Sequence, residues 1–147
     1  MDFAMTFGNV VRRRVLVPSG GATLWARRYI ADVDSATAFR KQLAEEGPPA
    51  LVFYTARWCS PCRDVAPHIE ALGARLEGPH LRIFRVDVDD HERFAADQGV
   101  KAVPFFTVHR DGHVVERLAG CGPDAVAEAA QRHAEIYAER LRKQRGE

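Results

Sequence analysis

The apolar run from Ala50 to Ala56 limits the fold more than any other part of the sequence. Such an uninterrupted run is typical of a strand that is buried on both faces of a sheet. Patterns of amphipathic helices flank it, with apolar residues spaced three and four positions apart. These residues are Ala36, Phe39 and Leu43 before the run, and Val65, Ile69, Leu72 and Leu76 after it. The alternation of strand and helix patterns predicts an α/β fold with parallel strands.

Two of the predicted helices begin with capping signals. Asp34 and Ser35 precede the first helix, and side chains of these types accept hydrogen bonds from the free N–H groups of a first turn. A further strand is expected over residues 81–89, where apolar and charged residues alternate. Asp89 and Glu92 then have the capping-box spacing of a short helix.

A hairpin and a final helix complete the chain. Asp111 and Gly112 separate two β-rich runs, which is a strong hairpin signal. Pro123 suits the first turn of the last helix. On that helix we expect ion pairs between residues four positions apart, Glu128–Arg132 and Glu139–Lys143. Because a hairpin adds an antiparallel edge to parallel strands, the sheet is expected to be mixed.

The first 31 residues differ in composition from the rest of the chain. Two β-rich runs joined by the residues SGG predict a hairpin or an added strand. The same region has five arginines and no acidic residue between Phe3 and Ala31, which also suits an organelle transit peptide. We favour the hairpin or strand, and divide the chain into an extension, 1–31, and a domain, 32–147.

The overall composition excludes several classes of protein. Apolar residues make up 46% of the 147 residues and charged residues 28%, so we expect a packed core and no disordered chain. A net charge of +1 gives no reason to expect nucleic acid or a membrane as partner. No apolar run is long enough to span a bilayer, and the order of apolar and basic residues at the N-terminus is wrong for a secretory signal. The expected compartment is the cytoplasm, with mitochondria or another organelle as the alternative.

Cys59 and Cys62 are the residues with the clearest chemical signal. They lie where the buried strand ends and the next helix begins, so free N–H groups and the positive helix end favour a thiolate at Cys59. Cys59 is therefore the expected nucleophile, with a depressed pKa. Cys62, one turn further along, is expected to be more buried and to resolve the mixed disulfide. A zinc half-site and a structural pair are the alternatives, but zinc sites commonly use four ligands, and only Cys121 remains among the cysteines.

Several features together resemble the thioredoxin family. The residues WCSPCR resemble the family's WCGPCK motif, and Pro67 falls at the position of its helix-kinking proline. Val103 and Pro104 precede a strand, as the family's cis-proline does, and Gly120 follows the hairpin like the glycine of the substrate-facing loop. The resemblance implies a thioredoxin fold, in which a central mixed β-sheet is flanked by helices.

The resemblance also implies an activity, the reduction of protein disulfides through the Cys59/Cys62 dithiol. Pro104 would hold the substrate backbone, and further substrate contacts would come from Trp58, Ser60, Pro61, Val103 and Gly120. No bound cofactor or metal is implied, because sulfur carries the chemistry. The implied partners are proteins with disulfides and a reductant, which is either a thioredoxin-reductase-like protein or a low-molecular-weight thiol. The chain is expected to be a monomer.

The sequence departs from the family at three positions near this motif. Phe53 replaces a buried aspartate that assists proton transfer at the second cysteine in the family, Ser60 replaces a glycine, and Phe105 replaces a threonine after the proline. These changes leave two alternatives open. One is a specialised tryparedoxin-like or nucleoredoxin-like relative, and the other is a binding or scaffold module with slow redox chemistry.

Overall fold

A computed structural model describes residues 11–12, 30–76 and 80–147 of the chain. These residues form one six-stranded sheet with four helices. In chain order the elements are β1 Val11–Arg12, β2 Ala31–Val33, α1 Ala36–Ala44, β3 Ala50–Thr55, α2 Ser60–Leu76, β4 Arg82–Asp87, α3 Glu92–Asp97, β5 Phe105–Arg110, β6 His113–Ala119 and α4 Pro123–Gln144.

The sheet is mixed, as the sequence predicts. Its strand order is β1-β2-β4-β3-β5-β6, which places β3 near the centre. β4 pairs in parallel with both β2 and β3, whereas β5 is antiparallel to β3 and to β6. Five of the six residues of β3 are buried, which accounts for its uninterrupted apolar sequence.

Two apolar clusters cover the two faces of the sheet. One contains buried residues of α2 and α4, including Cys62, Ile69 and Val126, together with Phe53 of β3. The other contains buried residues of α1 and α3 and the opposite side chains of the strands. The predicted fold class, a central mixed sheet flanked by helices, is therefore confirmed.

Local signals at the element ends behave as predicted in most places. The Ser35 hydroxyl accepts a hydrogen bond from the Ala38 N–H at 3.3 Å and caps α1. Asp111 and Gly112 have φ angles of 51° and 82°, the left-handed pair that a tight hairpin turn requires. Pro123 is the first residue of α4, and Pro67 lies inside α2.

Two local predictions are wrong. The N-cap of α3 is His91 and not Asp89, so no capping box forms. The Asp87 carboxylate instead accepts the backbone N–H groups of Asp89 and Asp90. On α4, Arg132 reaches across to Glu116 of β6 and does not pair with Glu128. In both cases a neighbour on another element or at the strand end replaces the partner that spacing alone suggests.

The N-terminal extension is described only at β1. Val11 and Arg12 pair antiparallel with Val33 and Asp32 of β2 and add an edge strand to the sheet. The predicted hairpin, the possible transit segment and the predicted end of the second helix at 77–79 fall on residues outside the described ones. Among the described helices, none is long and apolar enough to cross a bilayer.

Candidate active site

Cys59 and Cys62 lie at the N-terminal end of α2 and are joined in a disulfide, with their Cα atoms 5.3 Å apart. Cys59 immediately precedes the helix, and Cys62 belongs to its first turn. The backbone N–H of Cys62 points at the Cys59 sulfur, with 3.2 Å between N and Sγ. An N–H group in this position stabilises negative charge on the sulfur, as does the positive end of the helix.

Both cysteines are almost fully enclosed, Cys62 slightly more than Cys59. Cys59 is 4% exposed and Cys62 is 1% exposed, and both belong to the apolar cluster under α2. Trp58 does not cover them. It is 68% exposed, and its indole N–H donates to the Asp89 carboxylate at 2.9 Å. The indole therefore stands at the rim of the site.

The loop before β5 closes the site on a second side. The peptide bond between Val103 and Pro104 is cis, as the resemblance implies. The carbonyl oxygen of Val103 lies 3.7 Å from the Cys59 sulfur. Both loop residues are half-buried, so part of their surface faces solvent beside the sulfur.

The other predicted contact residues are exposed. Ser60 and Pro61 lie on the first turn of α2, and Gly120, with φ of 64°, follows the hairpin strand β6. Cys121 follows it, half-buried against the cluster that contains the cysteine pair. Phe105, by contrast, is buried in the opposite cluster beside the Tyr54 ring. Phe105 therefore packs in the core.

Phe53 occupies the sheet below α2, where the family usually has an aspartate. Its ring stacks on Phe106 of β5 with 5.0 Å between ring centroids and 11° between ring planes. Only 1% of Phe53 is exposed. The floor of the site is therefore apolar, and Phe53 has no proton to exchange with Cys62.

A group of charged residues beside the cysteine pair was not predicted from the sequence. Arg57 lies 3.2 Å from the Asp90 carboxylate and 3.7 Å from that of Asp87. Arg63 of α2 donates to the Arg57 carbonyl oxygen at 3.0 Å. The signal was present in the sequence, because Asp87 ends β4 and Asp90 comes soon after it. The ends of parallel neighbouring strands lie at one edge of a sheet.

The zinc alternative gains no support from the described residues. Over 30–76 and 80–147, no three His, Cys, Asp or Glu side chains are grouped as metal ligands would be. A cysteine pair in a disulfide at the start of a helix is instead arranged for exchange of thiols and disulfides.

Comparison with known proteins agrees with this geometry. The family model named Thioredoxin matches residues 31–132. The chain is 36% identical over 105 residues to an H-type thioredoxin of Chlamydomonas reinhardtii, covering 69% of this chain and 92% of the relative.

Solved structures give the same result. The thioredoxin of Fasciola hepatica superposes with a TM-score of 0.64 at 35% identity, covering 69% of this chain and 97% of that one. The mitochondrial thioredoxin 3 of Saccharomyces cerevisiae gives a TM-score of 0.64 at 26% identity, covering 71% and 98%. With its cysteine pair at disulfide distance, the chain has the site of a thiol–disulfide oxidoreductase. It belongs to the thioredoxin family.

Proposed function

We propose that the chain reduces disulfide bonds in other proteins, with Cys59 as the nucleophile and Cys62 as the resolving cysteine. The observation that carries this assignment is the hydrogen bond from the Cys62 N–H to the Cys59 sulfur. It favours the thiolate at Cys59, and the thiolate is the attacking species in disulfide exchange. The deeper burial of Cys62 fits a residue that reacts only after the substrate is attached.

The reaction takes place in two exchanges. The Cys59 thiolate bonds to one sulfur of the substrate disulfide, and the other substrate sulfur leaves as a thiolate. Cys62 then loses its proton and bonds to the Cys59 sulfur, which breaks the bond between Cys59 and the substrate. Two electrons have passed from the cysteine pair to the substrate, and the pair is left as the observed disulfide.

Substrate contacts are proposed around the Cys59 sulfur. The Val103 carbonyl oxygen lies next to this sulfur, so Val103 and Pro104 would meet the substrate backbone there. The exposed Trp58, Ser60 and Pro61 border the same sulfur. Gly120 has no side chain and would let a substrate approach from the hairpin side.

The partners and the setting follow from the same proposal. A thioredoxin-reductase-like protein or a low-molecular-weight thiol would return the pair to the dithiol, since the chain needs an electron source after each cycle. No cofactor is needed for sulfur exchange. We propose a monomer that acts in the cytoplasm, with mitochondria as the alternative that the yeast mitochondrial relative supports. We also retain the division into an extension, 1–31, and a redox domain, 32–147.

The test is the reduction of insulin by dithiothreitol, followed by the turbidity of the released chains. The chain as it stands is expected to accelerate this reaction, and Cys59→Ser is expected to abolish the acceleration. Cys62→Ser retains the nucleophile but cannot resolve, so it should accumulate a mixed disulfide with insulin that a mass spectrum detects. A Cys121→Ser variant is the matched control and should behave like the unchanged chain. If Cys59→Ser accelerates the reaction equally well, the proposal is wrong.

A further inference from the structure

A cavity of about 590 Å³ lies beside the buried cysteine of the pair. Cys62 and Phe53 line it together with the small residues Thr55, Ala56 and Ala66. A volume of this size holds several water molecules, because one water occupies about 30 Å³ in the liquid. The charged residues around it are Asp32, Asp34, Asp87, Asp90, Arg57, Arg63 and Arg85. The cavity therefore offers water a route towards Cys62 on a side that Cys59 does not line.

The second exchange needs such a route. Cys62 has to lose the proton from its sulfur before or while it bonds to Cys59, and a thiol that is 1% exposed among apolar side chains is poorly placed to lose it. The side chain directly below, Phe53, accepts no proton. The acceptor must therefore be water or a carboxylate that faces the cavity.

The sheet register places one carboxylate in the same row as Phe53, the residue below the cysteine pair. Asp32 of β2 is the neighbour of Arg85 on β4, and Arg85 is the neighbour of Phe53 on β3. Successive neighbours across parallel strands point to the same face of a sheet, so all three lie on the face that α2 covers. The Arg85 Nε donates to the Asp32 Oδ1 at 2.6 Å, and both side chains are partly buried. The carboxylate is thus fixed in position on the wall of the cavity.

The other carboxylates around the cavity also have contacts of their own, but none of them lies in the row that Asp32 shares with Arg85 and Phe53. The Asp87 Oδ1 accepts two backbone N–H groups, and its Oδ2 lies beside Arg57. Asp90 is paired with the same arginine in an exposed position. Asp34 is exposed at the end of β2. Asp32 is partly buried, and it is the carboxylate that lies in the same row of the sheet as Phe53.

We propose that Asp32, held in place by Arg85, accepts the proton that Cys62 releases, through water in the cavity. The proton leaves the Cys62 sulfur, the sulfur bonds to Cys59, and the carboxylate becomes a carboxylic acid that returns the proton to solvent. In the reverse direction the same acid would protonate Cys62 as the disulfide opens. Arg85 acts as a positioning residue. This inference rests on the roles proposed above for Cys59 and Cys62.

The test separates the two exchanges in time. The reduced full chain is mixed with dithiobis(nitrobenzoate), and release of the coloured thiolate is followed by stopped flow. The first phase reports attack by Cys59, and the second reports resolution by Cys62. In Asp32→Asn we expect an unchanged first phase and a second phase slowed by at least about tenfold at neutral pH, since a positioned base contributes at least that much. Without the carboxylate, the rate of the second phase should fall about tenfold for each unit by which the pH is lowered, as the rate of a reaction with hydroxide does. This pH dependence should be steeper than in the unchanged chain.

The matched control is Asp90→Asn, which removes another arginine-paired carboxylate from the same cavity. Its second phase should stay within about twofold of the unchanged chain. If Asp32→Asn leaves the rate and pH profile of the second phase unchanged, or if Asp90→Asn slows it equally, the inference is wrong. Loss of the first phase in the unchanged chain would overturn the proposed function itself. If Asp32→Asn fails to fold, Arg85→Gln releases the carboxylate from its partner, and an unaltered second phase would also contradict the inference.

Discussion

His109 lies near the end of β5 and is the last of three buried side chains joined by hydrogen bonds. The Tyr54 hydroxyl and the Thr107 hydroxyl are 3.1 Å apart, and the Thr107 hydroxyl is 2.8 Å from the His109 Nε2. Burial, with smaller contributions from Arg117 and Arg82, lowers the pKa of His109 to about 4. Burial also raises the pKa of Tyr54 to about 12. All three side chains are therefore uncharged at physiological pH.

This lowered pKa predicts a loss of stability in mild acid. Between the unfolded pKa of 6.5 and the folded value of about 4, the unfolded chain binds the proton and the folded chain does not. The contribution of His109 to the free energy of unfolding is thus complete above pH 6.5 and falls as the pH drops to 4, by up to about 3 kcal/mol. Urea unfolding at several pH values in this range gives the free energy of unfolding as a function of pH. The slope of this free energy against pH should be clearly shallower for His109→Gln than for the unchanged chain. Identical slopes would contradict the assignment.

Phe53 gives a second prediction at the residue scale. Replacing it with Asp removes a stacked ring and buries a charge whose cross-strand neighbour, Arg85, is already paired with Asp32. We therefore expect a loss of more than about 4 kcal/mol in the free energy of unfolding at neutral pH. Since protonation removes the buried charge, part of this loss should be recovered at about pH 4.

The control for this change is Phe53→Leu, which stays apolar and should cost roughly 1–2 kcal/mol without such a pH dependence. Urea unfolding at both pH values measures the two variants side by side. A Phe53→Asp variant as stable as Phe53→Leu would show that the site tolerates the charge.

At the scale of elements, α4 is tied to the edge strand β6 by Glu116. Arg132 donates from Nη2 to both carboxylate oxygens, at 2.8 and 2.7 Å, and the His133 Nε2 lies 2.7 Å from Oε2. Burial raises the pKa of Glu116, but the hydrogen bonds from His133 and Arg132 outweigh it and leave this pKa below its usual value. The stabilisation by these charged hydrogen bonds is therefore present at neutral pH, and it is lost as the pH falls through the lowered pKa of Glu116.

Glu116→Gln should weaken this attachment. We expect a loss of roughly 1–2 kcal/mol in the free energy of unfolding, because two charged hydrogen bonds lose their acceptor charge. Glu139→Gln is the matched control, since Glu139 forms a fully exposed pair with Lys143 and its loss should change stability much less. Denaturant unfolding measures the free energy of unfolding of the two variants. Equal losses in the two would refute the attachment of α4 to β6 by Glu116.

The elements also show which sequence signals are reliable. The Asp111–Gly112 turn and the Ser35 cap were predictable because both depend on residues within one turn. The capping box at Asp89 failed because Asp87, at the strand end, binds the Asp89 backbone N–H, and the Asp89 carboxylate accepts the Trp58 indole N–H instead. Spacing within a segment does not reveal a competitor that the preceding strand brings into reach.

At the scale of the whole molecule, the element order and the cysteine pair were predictable because their signals are local and strong. The cavity beside Cys62 and the pair Asp32–Arg85 were not, since they depend on the register between strands that are 53 residues apart in sequence. The sequence did show that Phe53 removes the usual carboxylate from the floor of the site. Only the fold shows where another carboxylate lies.

Disulfide reduction by this chain requires that Cys59 and Cys62 exchange reversibly between dithiol and disulfide at a reduction potential in the range of a reductase. The most direct measurement is the fraction oxidised after equilibration in dithiothreitol buffers of known poise, with the bonded cysteines identified by mass spectrometry. We predict a single two-electron transition of this pair close to the thioredoxin value of about −270 mV. A transition above about −180 mV, or a pair that stays oxidised at every poise, would contradict a protein-disulfide reductase.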